Sequence, residues 1–148
     1  MMIWILAAVA VLAGSMIPVQ AGINASLRHA VSNPLFAALT NFTVGGTILA
    51  AYLLISRSDL PSLEAVRQVP WWCWFGGAMG ACLVVTGVLT AHRLGAATFI
   101  ACIIVGQLSA SVILDHFGWV GYAEHPVSLP RIAGIALLAA GAYLIRTH

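Results

Sequence analysis

A chain of 148 residues that is 61% hydrophobic and 7% charged, with a mean hydropathy of +1.01, is no soluble domain, where roughly a quarter of residues carry charge. A membrane crossing takes ~20 apolar residues, so this length holds four to six crossings in one bundle. The net charge of +2 arises from six arginines scattered singly and no lysine, which excludes the basic patch that nucleic acid requires.

The first apolar segment runs from about Ile3 to Leu27, with Trp4 as an interfacial anchor. At ~1.5 Å per residue it exceeds a ~30 Å hydrocarbon core, so a kink or tilt is expected. Val19-Gln20-Ala21 looks like a signal cleavage site, but the start MMIW lacks the basic residues of a signal peptide. The segment is therefore read as a retained span. Pro18 has no N–H and frees the carbonyl of Gly14, which makes Gly14 and Pro18 the expected hinge. Gln20, Asn24 and Arg28 follow at i, i+4, i+8 and share one helix face. Polar side chains at membrane depth are costly; they face a bundle interior or a water-filled cavity, or they join helices through hydrogen bonds.

Asn33 is a good N-cap and Pro34 a natural first residue for the second span, expected over 34–56. It carries Asn41 and, one turn on, Gly45-Gly46, where another helix is expected to approach closely. The connector RSDLPSLEAVRQVP holds four of the ten charged residues, with Leu60, Leu63 and Val66 spaced for a short interfacial helix over about 60–68. The third span, about 71–91, opens on the aromatic belt Trp71, Trp72, Trp74 and Phe75 and contains the weak contact motif Gly76-x-x-x-Gly80. Thr86 and Thr90 are expected to bond back to their own helix.

The fourth span, about 96–115, places Gln107, Ser111 and Asp115 on one face, a second polar stripe. Asp115 lies at the membrane edge and is the one acid close to the bilayer. It is the candidate for proton coupling, and pairing with Arg131 is the competing role. The fifth span, about 130–145, offers a small-residue surface with Gly134 and Gly141 seven apart, suited to a subunit interface.

Cys73, Cys82 and Cys102 form no CxxC and read as small buried hydrophobes. No HExxH or nucleophile–base pattern is present. His116, Glu124 and His125 are a weak metal set, so no metal, no cofactor and no enzyme activity are expected.

Five crossings put the termini on opposite sides of the membrane. Arg28, Arg93 and Arg146 then fall on one side and Arg57, Arg67 and Arg131 on the other. Arginine excess normally sets orientation, and three against three sets none. A chain that inserts both ways can pair head to foot, and two antiparallel copies of an odd-span protein form the inverted repeat common among transporters.

The stretches GSMIPVQAGINASL, NFTVGG, GGAMGA, LGAATFIACIIVGQLSASVILDHFG and RIAGIALLAAG resemble the YdcZ-type family of inner-membrane exporters in the drug/metabolite transporter superfamily. The most specific pieces are Pro18-x-Gln20-x-x-x-Asn24 and Gly106-Gln107 followed by Asp115-His116-Phe117-Gly118. The resemblance implies five helices, a bacterial inner membrane and export of a small molecule. It also implies a dual-topology dimer equivalent to one fused ten-helix protein. Small multidrug exporters of that superfamily carry a mid-membrane glutamate in the first helix. None is present here, which argues against proton-coupled export of lipophilic cations.

The sequence thus predicts an all-α integral membrane protein, one half of a ten-helix inverted-repeat transporter. Gln20, Asn24, Asn41, Gln107 and Ser111 are expected to line the solute path. The partner is a second antiparallel copy or an oppositely oriented relative. A small dual-topology channel and a non-transporting membrane subunit are the alternatives left open.

Overall fold

The structure is a computed structural model and describes residues 2–148. It consists of helices: α1 (Met2–Val31), α2 (Pro34–Ile55), α3 (Leu63–Arg67), α4 (Phe75–Leu94), α5 (Ala96–Phe117) and α6 (Leu129–Thr147). Trp71–Trp74 forms a 3₁₀ turn leading into α4. Five helical segments are long and apolar enough to cross a membrane, the third being Trp71–Leu94.

Helix boundaries follow local chemistry. α1 continues four residues past the expected end, placing Arg28 and His29 in its last turn, where positive charge complements the helix dipole. Ser32 then turns the chain at φ 55°. The Asn33 side chain accepts from the N–H groups of Leu35 and Phe36, and Pro34 opens α2. The interfacial helix shrinks to five residues, capped by Ser62 through the Ala65 N–H at 3.1 Å. α5 ends on Gly118 at φ 60°, a left-handed cap that glycine adopts without steric penalty.

Two compact units divide the chain: Val19–His92, and the segment up to Pro18 together with Arg93–His148. The boundary falls inside α1, directly after Pro18, through which the helix runs on.

In the Val19–His92 unit the buried residues are almost all small: Ala25 on α1, Ala37 and Ala38 on α2, and Gly87, Val88 and Ala91 on α4. Lipid tails are as apolar as leucine and give helices no hydrophobic reason to associate. Small residues let backbones approach, and polar links then fasten them. Asn24 Nδ2 donates to Asn41 Oδ1 at 3.3 Å, and Arg28 Nη1 donates to the Val88 carbonyl at 3.0 Å. The glycines expected at contacts behave differently. A Cβ on Gly45, Gly46 or Gly76 would meet nothing within 4 Å, whereas one on Gly80 would touch the Phe42 ring at 3.8 Å.

In the other unit α5 and α6 are packed neighbours. Their connection is strapped to the end of α5: the His125 N–H donates to the Asp115 carbonyl at 2.7 Å, and the Val127 N–H donates to His116 Nδ1 at 3.3 Å. The hydroxyls of both units largely satisfy themselves. Thr40, Thr43, Thr47, Thr90 and Ser109 each donate to the carbonyl four residues back.

Replacing Asn33 by Ala strips two α2 N–H groups of their acceptor. Thermal unfolding in detergent is expected to show a loss of about 1 kcal/mol, with Asn33→Ser restoring most of it.

Candidate functional site

The polar groups that meet in the Val19–His92 unit come from α1 and α2. Gln20 and Asn24 lie one turn apart on α1, and Asn41 faces Asn24 from α2. Asn24 is 6% exposed. An amide so buried needs a partner, because leaving it bare in an apolar setting costs several kcal/mol on transfer scales. The Asn41 carbonyl supplies that partner.

Beside the pair opens a cleft of about 600 Å³, with Gln20, Asn24, Thr40 and Asn41 as its polar lining and Ile23, Leu27, Phe42, Val44, Ile48 and Leu49 among its apolar walls. Gly45 and Gly46 complete the wall, and their missing side chains are part of what keeps it open. Small-molecule sites take this form: mostly apolar, a few hundred Å³, with a few convergent polar groups.

The hydrogen-bonding capacity is easily apportioned. The Thr40 hydroxyl proton goes to the Phe36 carbonyl at 2.9 Å. The Asn24–Asn41 bond uses one donor and one acceptor of the four groups the two amides own. What faces the cleft is therefore a mixed set of neutral amide donors and acceptors, with Gln20 exposed at one side. No charged side chain lines it.

Gln107 and Ser111 belong to the other unit and are exposed on α5. Asp115, on the same face one turn further, pairs with Arg131: Nη2 to Oδ2 is 3.1 Å, with the side chains 34% and 26% exposed for Arg131 and Asp115. The same guanidinium donates through Nη1 to the His125 carbonyl at 3.2 Å. Asp115 thus anchors the α5–α6 connection. Gly141 borders an apolar groove of about 300 Å³ with Ala101, Ile104, Leu137 and Leu138, while Gly134 faces open space.

His116, Glu124 and His125 do not assemble a metal site; among the described residues no group of three His, Cys, Asp or Glu could hold an ion. The three cysteines are free thiols exposed on the chain, not buried as their apolar surroundings in the sequence suggested. The sequence reading also missed Thr40, Phe42 and the glycine wall. The Gly45-Gly46 pair was a visible signal, but it reads equally as a place for another helix.

Five helices long and apolar enough to cross a membrane, two of them carrying paired amides beside an open cleft, define a polytopic membrane protein. A family profile described as "Putative inner membrane exporter, YdcZ" matches residues 5–144, and the chain belongs to that family. It is 30% identical over 133 residues to inner membrane protein YdcZ of Escherichia coli (strain K12), covering 90% of this chain and 89% of that protein. No solved structure matches the chain. The protein is a multi-pass bacterial inner-membrane protein of a transporter family.

Arg131→Gln removes the two guanidinium contacts, to Asp115 and to the His125 carbonyl, and leaves the His125 and Val127 backbone bonds in place. Amide hydrogen exchange over residues 119–128 is expected to quicken by a factor of a few, the scale of a partly exposed ion pair, while exchange in α1 and α2 stays unchanged.

Proposed function

We propose that the cleft bounded by Gln20, Asn24 and Asn41 is the solute site of this transporter, and that the solute is small and either uncharged and polar or zwitterionic. The carrying observation is the lining itself: neutral amides with spare donors and acceptors, and no fixed charge. A bare cation entering the bilayer there would find nothing to compensate it, whereas a hydroxyl, amide or zwitterion can exchange water for amide hydrogen bonds.

In this reading two copies work as an antiparallel pair, or one copy works with an oppositely oriented relative. Together they supply the ten helices of an inverted-repeat exporter. Gln107 and Ser111 on α5 would complete the solute path. Gly14 and Pro18 would be the hinge of alternating access, a role supported by the unit boundary falling directly after Pro18. Asp115 would couple a proton only at the expense of its bond to Arg131, so Asp115→Asn in flux assays with and without a proton gradient separates anchoring from coupling.

The site is tested by filling it. Gly45→Leu projects a side chain into open space and should leave folding intact, since leucine in a helix is favoured over glycine by up to about 1 kcal/mol. Flux of amino acids, sugars and cationic dyes into proteoliposomes is expected to identify one neutral or zwitterionic class. For that class Gln20→Leu should cut transport by about tenfold, the worth of one or two lost hydrogen bonds, and Gly45→Leu, which fills the cleft, by at least as much. Undiminished flux in both variants would remove the cleft from the path.

Pairing is tested separately by topology reporters fused at His148. Signal from both membrane faces is expected of an antiparallel homodimer. Signal from one face alone rules it out and leaves the oppositely oriented relative.

A further inference from the structure

We infer that the end of the Val19–His92 unit formed by the last turns of α1 and α4 is a binding site for an anionic phosphate group. The inference stands apart from the cleft and does not require it. Arg28 is half-buried and spends Nη1 on the Val88 carbonyl of α4 at 3.0 Å. His92 lies one turn beyond Val88 on the same face of α4, and its ring meets that of His29 edge-on, with centroids 4.8 Å apart and planes at 66°. A guanidinium and two imidazoles thereby converge at one helix end.

None of them has a negative partner. The ion pair found among the described residues is Arg131 with Asp115, in the other unit. The two acids of this unit, Asp59 and Glu64, both lie in the connector beyond the far end of α2, whose 22 residues span roughly 33 Å. At that separation their attraction is screened. The C-terminal dipoles of α1 and α4 favour cations along the helix axes, which accounts for basic residues at these positions. They oppose an anion on the axes themselves, so a phosphate would sit to the side, against the outward N–H groups of Arg28 and the imidazole edges.

Phosphate suits the gap. A guanidinium offers paired donors to two phosphate oxygens, and an imidazole N–H can supply a third. Arg28 is already oriented by its bond to Val88, so little side-chain entropy is lost on binding. A divalent metal, which two neighbouring histidines can attract, is repelled by that guanidinium. The two sources of such a group are the headgroup of an anionic phospholipid at the membrane interface and free phosphate.

The test uses purified, delipidated full-length protein and native mass spectrometry of lipid adducts. Phosphatidylglycerol and phosphatidylcholine of equal chain length are offered together. Wild type is expected to favour phosphatidylglycerol by about fivefold for the Arg28 guanidinium, with the imidazole N–H donors adding to that preference. His29→Gln/His92→Gln should lose most of that preference with its melting temperature unchanged, while Arg57→Gln, at the other end of α2, should keep it. Displacement of phosphatidylglycerol by millimolar inorganic phosphate supports the site and shows that the phosphate alone suffices. Retention of the lipid against phosphate supports the site and assigns it to lipid. An unaltered preference in the double variant, or an equal loss in Arg57→Gln, overturns the proposal.

Discussion

Hydrocarbon offers no hydrogen bonds, so each polar group at membrane depth must find its partner inside the protein. Most of the chain's polar groups meet this constraint in two ways, while Gln20, Gln107 and Ser111 are left exposed. Hydroxyls turn back on their own helices: Ser26 to Gly22, Thr43 to Leu39, Thr47 to Thr43, Thr90 to Thr86. Such groups are internally closed and contribute little to recognition. The amides cannot close on themselves, since each carries two donors and an acceptor with two lone pairs. Asn24 and Asn41 answer each other and still have capacity left over. The chemistry of the cleft is the capacity these two amides keep after pairing, together with Gln20, which is exposed beside them.

The same constraint explains what was legible in the sequence. Hydropathy and length marked the five crossings, and Asn33-Pro34 marked the start of α2. Gln20 and Asn24 stood out because they are expensive where they are. Packing was much harder to read. In a soluble helix the buried face is the apolar face, but in these helices both faces are apolar, so Ala25, Ala37, Ala38, Val88 and Ala91 look no different from residues facing lipid. Glycine pairs drew attention instead, and Gly45-Gly46 lines a cleft where a close helix contact was expected.

Connections show a similar division. Asp115 and Arg131 are sixteen residues apart across one loop, and their pairing was one of two open readings; the structure has the bond. The backbone of that loop was not legible. Gly118 and Gly121 take left-handed conformations that glycine permits, but Val120 between them does so as well, at φ 58°. A β-branched residue there is sterically opposed. It is retained in a connection already fixed by the His125 and Val127 backbone bonds to α5. Local propensity loses to tertiary attachment at this position.

In the proposed solute site, the Asn24–Asn41 bond bears on how a solute would be released as well as held. At 3.3 Å it is slightly longer than the usual N–H···O range of about 2.7–3.2 Å. Neutral hydrogen bonds in proteins contribute only about 1 kcal/mol net. A solute that borrows an amide from the pair gives up little that it does not replace, so occupied and empty states stay close in energy. A fixed carboxylate in the same place would hold a cation far more tightly and would need a proton to let it go. The helix that carries Gln20 and Asn24 is also the one in which Pro18 deletes a backbone bond, two residues before the first of those amides. The proposed binding groups and the proline-interrupted stretch of backbone therefore share one helix, and a change of angle at Pro18 would carry the amides with it.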